Sequence, residues 1–196
     1  MPEGLEIYVL AKVLKNLGVD CSSYGKHLIL KDPQTGQLND VSFGLYGRVQ
    51  LSHDMKFTKT IVEGKPSGYI KPINNIEEAK TRLGVDWMTL TEEQAVVIVR
   101  GWTRRKKQLE SLLTDQSEIA GIGSYWVYRI LHKALIDPKT KANLLDFFNM
   151  VEPLARAIIR VRDTAIKDYL QSIKKNEFAF VNAWCENLYC VRDKHV

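Results

Sequence analysis

Apolar and polar residues alternate differently in the two halves of the chain. In the first half, residues 3–17 carry apolar side chains at helical spacing, which predicts a helix that ends at Gly18. Short runs with apolar residues at every second position follow and predict strands. These runs are KHLILKD (26–32), DVSFGLYGRVQLS (40–52), TKTIVEG (58–64) and GYIKPI (68–73).

The spacing becomes helical near residue 76. IEEAKTRLG (76–84) predicts a short helix, and Thr91 with Gln94 forms a capping-box pattern. Helical spacing continues to Leu113, either unbroken or with a break at Gly101. A further helix is predicted over 150–174. The pattern predicts an α+β fold: a β-rich domain with an N-terminal helix (1–80), a helical domain (81–175) and a tail (176–196).

Composition and charge narrow the function classes. No apolar run approaches the ~18 residues of a membrane span, and Glu3, Glu6 and Lys12 interrupt the opening stretch, so we expect an intracellular protein without a signal peptide. An odd number of cysteines argues against a disulfide framework. Residues 89–175 hold 15 Lys and Arg against 10 Asp and Glu, which favours a polyanionic partner or, equally, a solvated basic face.

One short motif in the helical part indicates anion binding. Asp115-Gln116 follows a predicted helix, Gly121-Ile122-Gly123 predicts a tight turn, and Ser124 opens the next helix. Glycines allow close approach of a ligand, and a helix N-terminus presents free N–H groups to a phosphate. The alternative is an ordinary helix connection with Ser124 as its N-cap.

Two segments resemble one family. The run RRKKQLESLLTDQSEIAGIGSYWVYRILHKALIDP (104–138) resembles the helix-two-turns-helix module of formamidopyrimidine-DNA glycosylases and endonuclease VIII proteins. The start, MPEGLE (1–6), resembles the start of the same proteins. The resemblance implies a reduced β-sandwich-like domain before a helix-two-turns-helix domain, and damaged double-stranded DNA as partner. It also implies DNA contacts at Glu6, Lys106, Lys107, Gly121, Gly123 and Ser124.

The resemblance gives the first residues a chemical role. After removal of Met1, Pro2 would carry a terminal secondary amine with a pKa of about 7.7–8.0, so part of it is a free nucleophile at neutral pH. Glu3 would be the general acid and base beside it. The alternative is that Pro2 and Glu3 only start a helix, where both residue types are favoured.

Two strands extend the resemblance. Gly25-Lys26-His27-Leu28 matches a family strand whose lysine grips a phosphate next to the lesion, so Lys26 would inherit that role. Leu45, within SFGLYG (42–47), falls where the family places the residue that fills the gap left by the flipped base. The alternatives are a solvent-facing edge lysine and a core leucine.

The sequence also departs from the family pattern. Ser124 replaces an asparagine, Glu110 replaces a phosphate-binding lysine, and Arg129 replaces an acidic residue. Lys106 and Lys107, one helical turn before Glu110, are candidates to compensate. The zinc finger of the family is missing: only Cys185, Cys190 and His195 are candidate ligands, so we expect no metal, and Arg192 is the substitute for the finger's arginine.

These observations predict a base-excision DNA glycosylase with AP lyase activity, without a cofactor, acting as a monomer. The alternative is a DNA-binding relative that has lost the chemistry. A generic α+β domain without a nucleic-acid role would leave both motif matches unexplained.

Overall fold

The computed structural model describes residues 3–43, 47–51, 57–62 and 69–173. The helices are α1 (Gly4–Asn16), α2 (Ile76–Lys80), α3 (Glu92–Trp102), α4 (Leu109–Thr114), α5 (Ser124–Ala134) and α6 (Val151–Ile173), with a 3-10 turn at Ala142–Leu144. The strands are β1 (Cys21–Tyr24), β2 (His27–Lys31), β3 (Leu38–Ser42), β4 (Gly47–Leu51), β5 (Phe57–Val62), β6 (Tyr69–Ile73), β7 (Val85–Asp86) and β8 (Ile119–Ala120). None of the described helices is both long and apolar enough to cross a membrane.

The chain divides into two units. The first comprises Met1–Thr81 and Ile166–Val196, and the second comprises Arg82–Ala165. The second domain drawn from the sequence extends to residue 175, whereas in the structure the end of α6 is grouped with the first unit. Since α6 is one uninterrupted helix, no break in its sequence pattern marks that boundary.

An antiparallel sheet with the strand order β1-β2-β3-β6 forms the frame of the first unit. Helix α1 packs against β1 and β2 and buries an almost continuous apolar surface that includes Leu5, Leu10 and Leu14. Gly18 ends α1 with a left-handed φ of 84°, while its N–H donates to the Lys15 carbonyl. The strands β4 and β5 form a separate antiparallel pair.

The two faces of this sheet pack against different helices. Leu28, Leu30 and Val41 are fully or almost fully buried. The residues that alternate with them include Ile29, which packs with Ile73 of β6 and Ala79 of α2. The sheet therefore separates an α1 side from an α2 side.

The second unit is helical, as the spacing of its apolar residues predicts. The capping box at α3 is confirmed: the Thr91 hydroxyl accepts from the Gln94 N–H at 3.2 Å, and the Gln94 amide oxygen accepts from the Thr91 N–H at 3.0 Å. Its core includes three tryptophans that are almost wholly buried, Trp87, Trp102 and Trp126. The short parallel pair β7–β8 joins the segment before α3 to the segment before α5.

The α+β fold class is confirmed, while some details of the helical part differ from expectation. The predicted helical stretch ending at Leu113 is two helices, because residues 103–108 leave the helical path between α3 and α4. Helix α5 ends at Ala134, before Pro138, with Leu135 in the left-handed region at φ 58°. A leucine is strained in that conformation, and local backbone hydrogen bonds cap the helix end: the Leu135 N–H donates to the His132 carbonyl and the Ile136 N–H to the Leu131 carbonyl.

Candidate functional site

Two buried glutamates meet at the amino end of α1. Glu3 is the residue that caps α1, and its backbone N–H donates to Oε2 of Glu6 at 3.0 Å. Glu3 is only 5% exposed and Glu6 only 2%. The helix N-terminus favours negative charge at both positions, since its free N–H groups carry the positive end of the helix dipole.

The side chain of Glu6 is fixed through both of its oxygens. The Tyr169 hydroxyl, on the last turns of α6 in the same unit, donates to Oε1 of Glu6 at 3.3 Å. Tyr169 is fully buried. Since Oε2 already accepts from the backbone of Glu3, Glu6 holds the start of α1 in place and orients the residue beside it.

Lys26 lies within electrostatic reach of both carboxylates. It follows Gly25, whose φ of 54° permits the tight two-residue turn between β1 and β2. Burial lowers the pKa of the Lys26 amine from its ordinary value, and the negative charges of Glu3 and Glu6 act in the opposite direction. The structure thus brings together three residues that the sequence singled out, Glu3, Glu6 and Lys26, which we call the carboxylate–lysine cluster.

One residue that contacts the carboxylate–lysine cluster is not among the site residues predicted from the sequence. Tyr169 is one of the apolar positions whose spacing predicts the helix at 150–174. The available signal was its hydroxyl: a tyrosine in a buried row of aliphatic residues needs a polar partner for its O–H group. The partner, Glu6, lies 163 residues away in sequence, so the pairing itself has no local signature.

In the second unit, the predicted glycine turn lies before α5. Gly121 adopts a φ of 102°, which favours glycine, and Gly123 is the N-cap of α5. Ser124 is therefore the first helical residue and not the N-cap. The Gln116 amide fixes the turn: Nε2 donates to the carbonyls of Thr114 and Ile122 at 2.9 and 2.8 Å, and Oε1 accepts from the Gly121 N–H at 2.8 Å.

The backbone at Gly84 packs against the segment that precedes this turn. The Gly84 N–H donates to the Gln116 carbonyl at 2.8 Å. A Cβ at Gly84 would lie 2.2 Å from the Glu118 carbonyl oxygen, well inside contact distance. The segment 116–118 can pass this close only because residue 84 has no side chain.

The residues that depart from the family pattern have partners of their own. Glu110 accepts a hydrogen bond from the Tyr128 hydroxyl at 3.0 Å. Arg129 donates through Nε to the Tyr125 hydroxyl at 3.0 Å and lies over the ring of Tyr125. Both substitutions are accommodated within the α4–α5 pair.

The expected position of Lys106 and Lys107, one helical turn before Glu110, is wrong. Helix α4 begins only at Leu109, and both lysines lie in the non-helical segment before it. The backbone of that segment pairs with a later one, through a bridge between Gln108 and Lys141. This pairing joins residues 33 positions apart, so helical spacing could not predict it.

Several predicted site residues lie outside the described residues. These are Pro2, Leu45 and Arg192, together with the candidate zinc ligands Cys185, Cys190 and His195. The third cysteine, Cys21, is buried and donates to the Ala11 carbonyl at 3.4 Å. Burial raises the pKa of its thiol to about 11, which fits a packed side chain better than a nucleophile.

A second polar cluster lies on the α2 side of the sheet. The buried carboxylate of Asp40 on β3 bonds to Nδ1 of His27 at 2.9 Å and accepts from the Tyr69 hydroxyl at 3.1 Å. Desolvation, with the Asp40 charge as a second cause, raises the pKa of Tyr69 to about 12. This cluster ties β2, β3 and β6 together across the sheet.

The chain is similar in sequence to one curated protein. The formamidopyrimidine-DNA glycosylase of Lactobacillus helveticus (strain DPC 4571) is 26% identical over 81 residues. The match spans 38% of this chain and 29% of the relative's length. No protein-family model matches the chain.

Solved structures show the same fold over most of the chain. A complex of the LlFpg protein with a THF-DNA and an inhibitor superposes with a TM-score of 0.66 at 18% identity, covering 85% of this chain and 80% of that one. MutM bound to carbocyclic 8-oxo-G containing DNA gives 0.66 at 16% identity, covering 86% and 82%. Lactococcus lactis formamidopyrimidine-DNA glycosylase, bound non-covalently to AP-site DNA, gives 0.61 at 22% identity, covering 76% and 62%. The resemblance inferred from the sequence is thereby confirmed, with identities that mark a divergent chain.

Proposed function

We propose that this chain, which has the fold of the formamidopyrimidine-DNA glycosylases, is a base-excision DNA glycosylase with AP lyase activity. The carboxylate–lysine cluster carries the proposal. It places two buried acids and an amine at the amino end of α1, where Glu3 directly follows Pro2 in the sequence. The capping box of α1 accounts for the positions of Glu3 and Glu6, but a helix start that served only folding would not need a half-buried lysine beside two buried carboxylates, since burying charge is unfavourable.

The proposed reaction begins with the amine of Pro2, exposed once Met1 is removed. Its nitrogen lone pair attacks C1′ of the damaged nucleotide, the glycosidic bond breaks, and the base leaves with the electrons of that bond and takes a proton from water. The carboxylate of Glu3 accepts the proton that the Pro2 nitrogen loses after the attack and passes it to the ring oxygen, so the sugar opens and an iminium forms between Pro2 and C1′. Loss of a C2′ proton then expels the 3′ phosphate by β-elimination, and water releases the amine.

The remaining residues of the cluster have supporting roles in this proposal. Glu6 holds the backbone of Glu3, and Tyr169 holds Glu6. The ammonium of Lys26 binds the phosphate beside the lesion and offsets the negative charge of the two glutamates. As a DNA-contacting residue Glu6 remains a prediction, since its buried oxygens bond within the protein.

The proposed partner is damaged double-stranded DNA. A phosphate would bind at the glycine turn, beside the amino end of α5, where the positive end of the helix dipole favours an anion. Lys106 and Lys107 supply further phosphate contacts, and Leu45 and Arg192 remain proposals from the resemblance. The enzyme would recognise damage by how readily the base leaves the stack, at a cost of a few kcal/mol.

Borohydride trapping tests the proposal on a duplex with one abasic site, using protein whose mature N-terminus has been verified. We expect a covalent protein–DNA adduct, because borohydride reduces the iminium to a stable amine. A matched protein with two residues added before Pro2 should give no adduct and should still bind the duplex. Salt-dependent binding without any adduct from the unextended protein would refute the lyase activity and leave a DNA-binding relative without chemistry.

A further inference from the structure

Two non-helical segments of the second unit, a bend before α4 and a turn after α5, are joined by one β-bridge into a short basic ribbon. The Gln108–Lys141 bridge is extended by the Leu109 N–H donating to the Thr140 carbonyl at 3.0 Å, and the Ala142 N–H to the Lys107 carbonyl at 2.9 Å. Each segment carries two lysines, Lys106 and Lys107 on the first and Lys139 and Lys141 on the second, and all four are exposed. We call residues 106–108 with 139–141 the basic ribbon.

The charge of this ribbon is only partly neutralised by nearby carboxylates. Within the part of the chain that the structure describes, none of the four ammonium groups has a carboxylate within 4.0 Å. Asp115 lies close enough to Lys107 for their charges to interact, whereas Glu110 accepts from Tyr128, and Asp137 accepts from the Lys139 backbone N–H at 2.7 Å. Four like charges on paired segments repel one another, so a bound anion would relieve that repulsion.

The ribbon and the glycine turn lie at opposite ends of the α4–α5 pair. The ribbon precedes α4 and follows α5, since the Glu110 N–H donates to the Pro138 carbonyl. The glycine turn follows α4 and precedes α5. At 1.5 Å per residue, the 6 residues of α4 span about 9 Å and the 11 residues of α5 about 16 Å. Lys139 and Lys141 therefore lie at the end of the pair away from the glycine turn, whereas the charge of Lys107 acts on Asp115 at the turn end of α4.

We propose that the basic ribbon, through Lys139 and Lys141 together with Lys106 and Lys107, is a second phosphate-binding element for a nucleic-acid backbone. It binds phosphates a few nucleotides away from the one at the glycine turn. This element supplies the cationic contacts that α4 lacks, where Glu110 faces Tyr128. The inference rests on the proposed DNA-binding function. It adds Lys139 and Lys141 to the phosphate-binding residues, and the sequence alone did not select these two.

The test is equilibrium binding of the full-length protein to an abasic-site duplex at several salt concentrations. For K139Q/K141Q we expect the slope of log affinity against log salt to become shallower by about 1.8, because two phosphate contacts are lost. At 0.1 M salt the affinity should fall on the order of tenfold to a hundredfold. K139R/K141R should retain the slope, since the charges remain.

K133Q/R156Q is the matched control. Both residues are exposed, belong to the same unit and change the net charge equally, yet lie outside the ribbon. This control should leave the slope within about 0.5 of that of the unmodified protein. Thermal unfolding of every variant verifies that the second unit remains folded.

The outcomes separate the two proposals. If the unmodified protein binds steeply with salt and K139Q/K141Q behaves like the control, the ribbon inference is overturned while DNA binding stands. If the unmodified protein does not bind the duplex, both fail. If K139Q/K141Q keeps its DNA affinity but loses binding to phosphatidylserine vesicles that the unmodified protein binds, the ribbon serves a lipid surface and the inference is likewise overturned.

Discussion

The carboxylate–lysine cluster of the first unit and the basic ribbon of the second hold charge in opposite ways. Glu3 and Glu6 are almost wholly buried, and both oxygens of Glu6 accept hydrogen bonds from within the protein. The lysines of the ribbon are exposed, with no carboxylate partner among the described residues. Burying a charged side chain costs free energy but fixes the position of the charge. An exposed lysine avoids that cost, and its side chain keeps its conformational freedom.

This difference explains which features of the family pattern this chain matches. A buried acid requires its partners in fixed positions, so residues 1–6 resemble the family start closely. Phosphate contacts act through charge at the surface and can occupy different positions with a similar effect. Glu110 in place of a lysine, beside a ribbon with four lysines, is consistent with such a relocation.

The largest expected effect comes from removing the charge of Glu3. For Glu3→Gln we expect single-turnover cleavage of an abasic-site duplex to slow by about 10²- to 10⁴-fold, because the amide cannot exchange a proton with the sugar. Duplex affinity should change little, since the residues proposed to contact phosphates, Lys26 among them, are unchanged.

Glu77→Gln is the control, an exposed carboxylate of α2 in the same unit. It should cleave at the normal rate. Equal rates for Glu3→Gln and the unmodified protein would show that burial of the cluster serves folding alone.

The next effect concerns the support of the glycine turn. Gly84→Ala should destabilise the second unit by about 2–4 kcal/mol, because the new Cβ collides with the backbone of Ser117 and Glu118. Urea unfolding measures the loss. The turn displaced by this collision should also bind the duplex more weakly.

Gly101→Ala is the matched control for the same chemical change. Gly101 lies in α3, and a Cβ there meets nothing within 4 Å. It should raise the free energy of unfolding by about 0.5–1 kcal/mol through helix propensity. If both variants shift the unfolding midpoint in the same direction, Gly84 is not the support we describe.

Local signals predicted much of the fold. The helix ending at Gly18, the capping box of Thr91 and the turn at Gly121–Gly123 each depend on residues within a few positions of one another. Strand β1 was missed: Cys21–Tyr24 has little apolar alternation, and its pairing with β2 makes it a strand. The glycine turn was selected from its own residues, whereas Glu3, Glu6 and Lys26 were assigned roles from the resemblance, and the structure brings these three together.

Long-range pairings account for what the sequence did not show. Tyr169 with Glu6, Lys107 with Ala142, and Asp40 with Tyr69 are separated by 163, 35 and 29 residues. A side-chain pattern over a dozen residues contains no information about such partners. They follow only from the packing of elements against one another.

A smaller effect on stability is expected when a tyrosine hydroxyl that donates to a carboxylate is removed. The effect should be larger where the carboxylate is buried than where it is exposed. Tyr169→Phe should destabilise the first unit by about 1–3 kcal/mol, because it leaves Oε1 of Glu6 with one fewer donor in a dry environment. It should also lower the cleavage rate several-fold by loosening Glu3. Tyr128→Phe removes the donor to Glu110, a hydrogen bond at the surface, and should change unfolding by less than about 0.5 kcal/mol. Similar losses at both sites would contradict the contrast between buried and exposed charge.

The smallest effect is a pH dependence at the Tyr69–Asp40 hydrogen bond. The folded state raises the pKa of Tyr69 to about 12, above about 10 in the unfolded chain, so folding favours the protonated phenol. The stability it contributes is fully present below pH 10 and is lost as the pH rises through about 12. Ultraviolet titration of phenolate should therefore show tyrosines that ionise late, among them Tyr128, whose pKa is raised by its hydrogen bond to Glu110, and Tyr69→Phe should reduce the late amplitude by that of one phenol. An unchanged late amplitude in Tyr69→Phe would show that Asp40 does not hold the Tyr69 proton, and would leave the cluster on the α2 side of the sheet without a measurable charge effect.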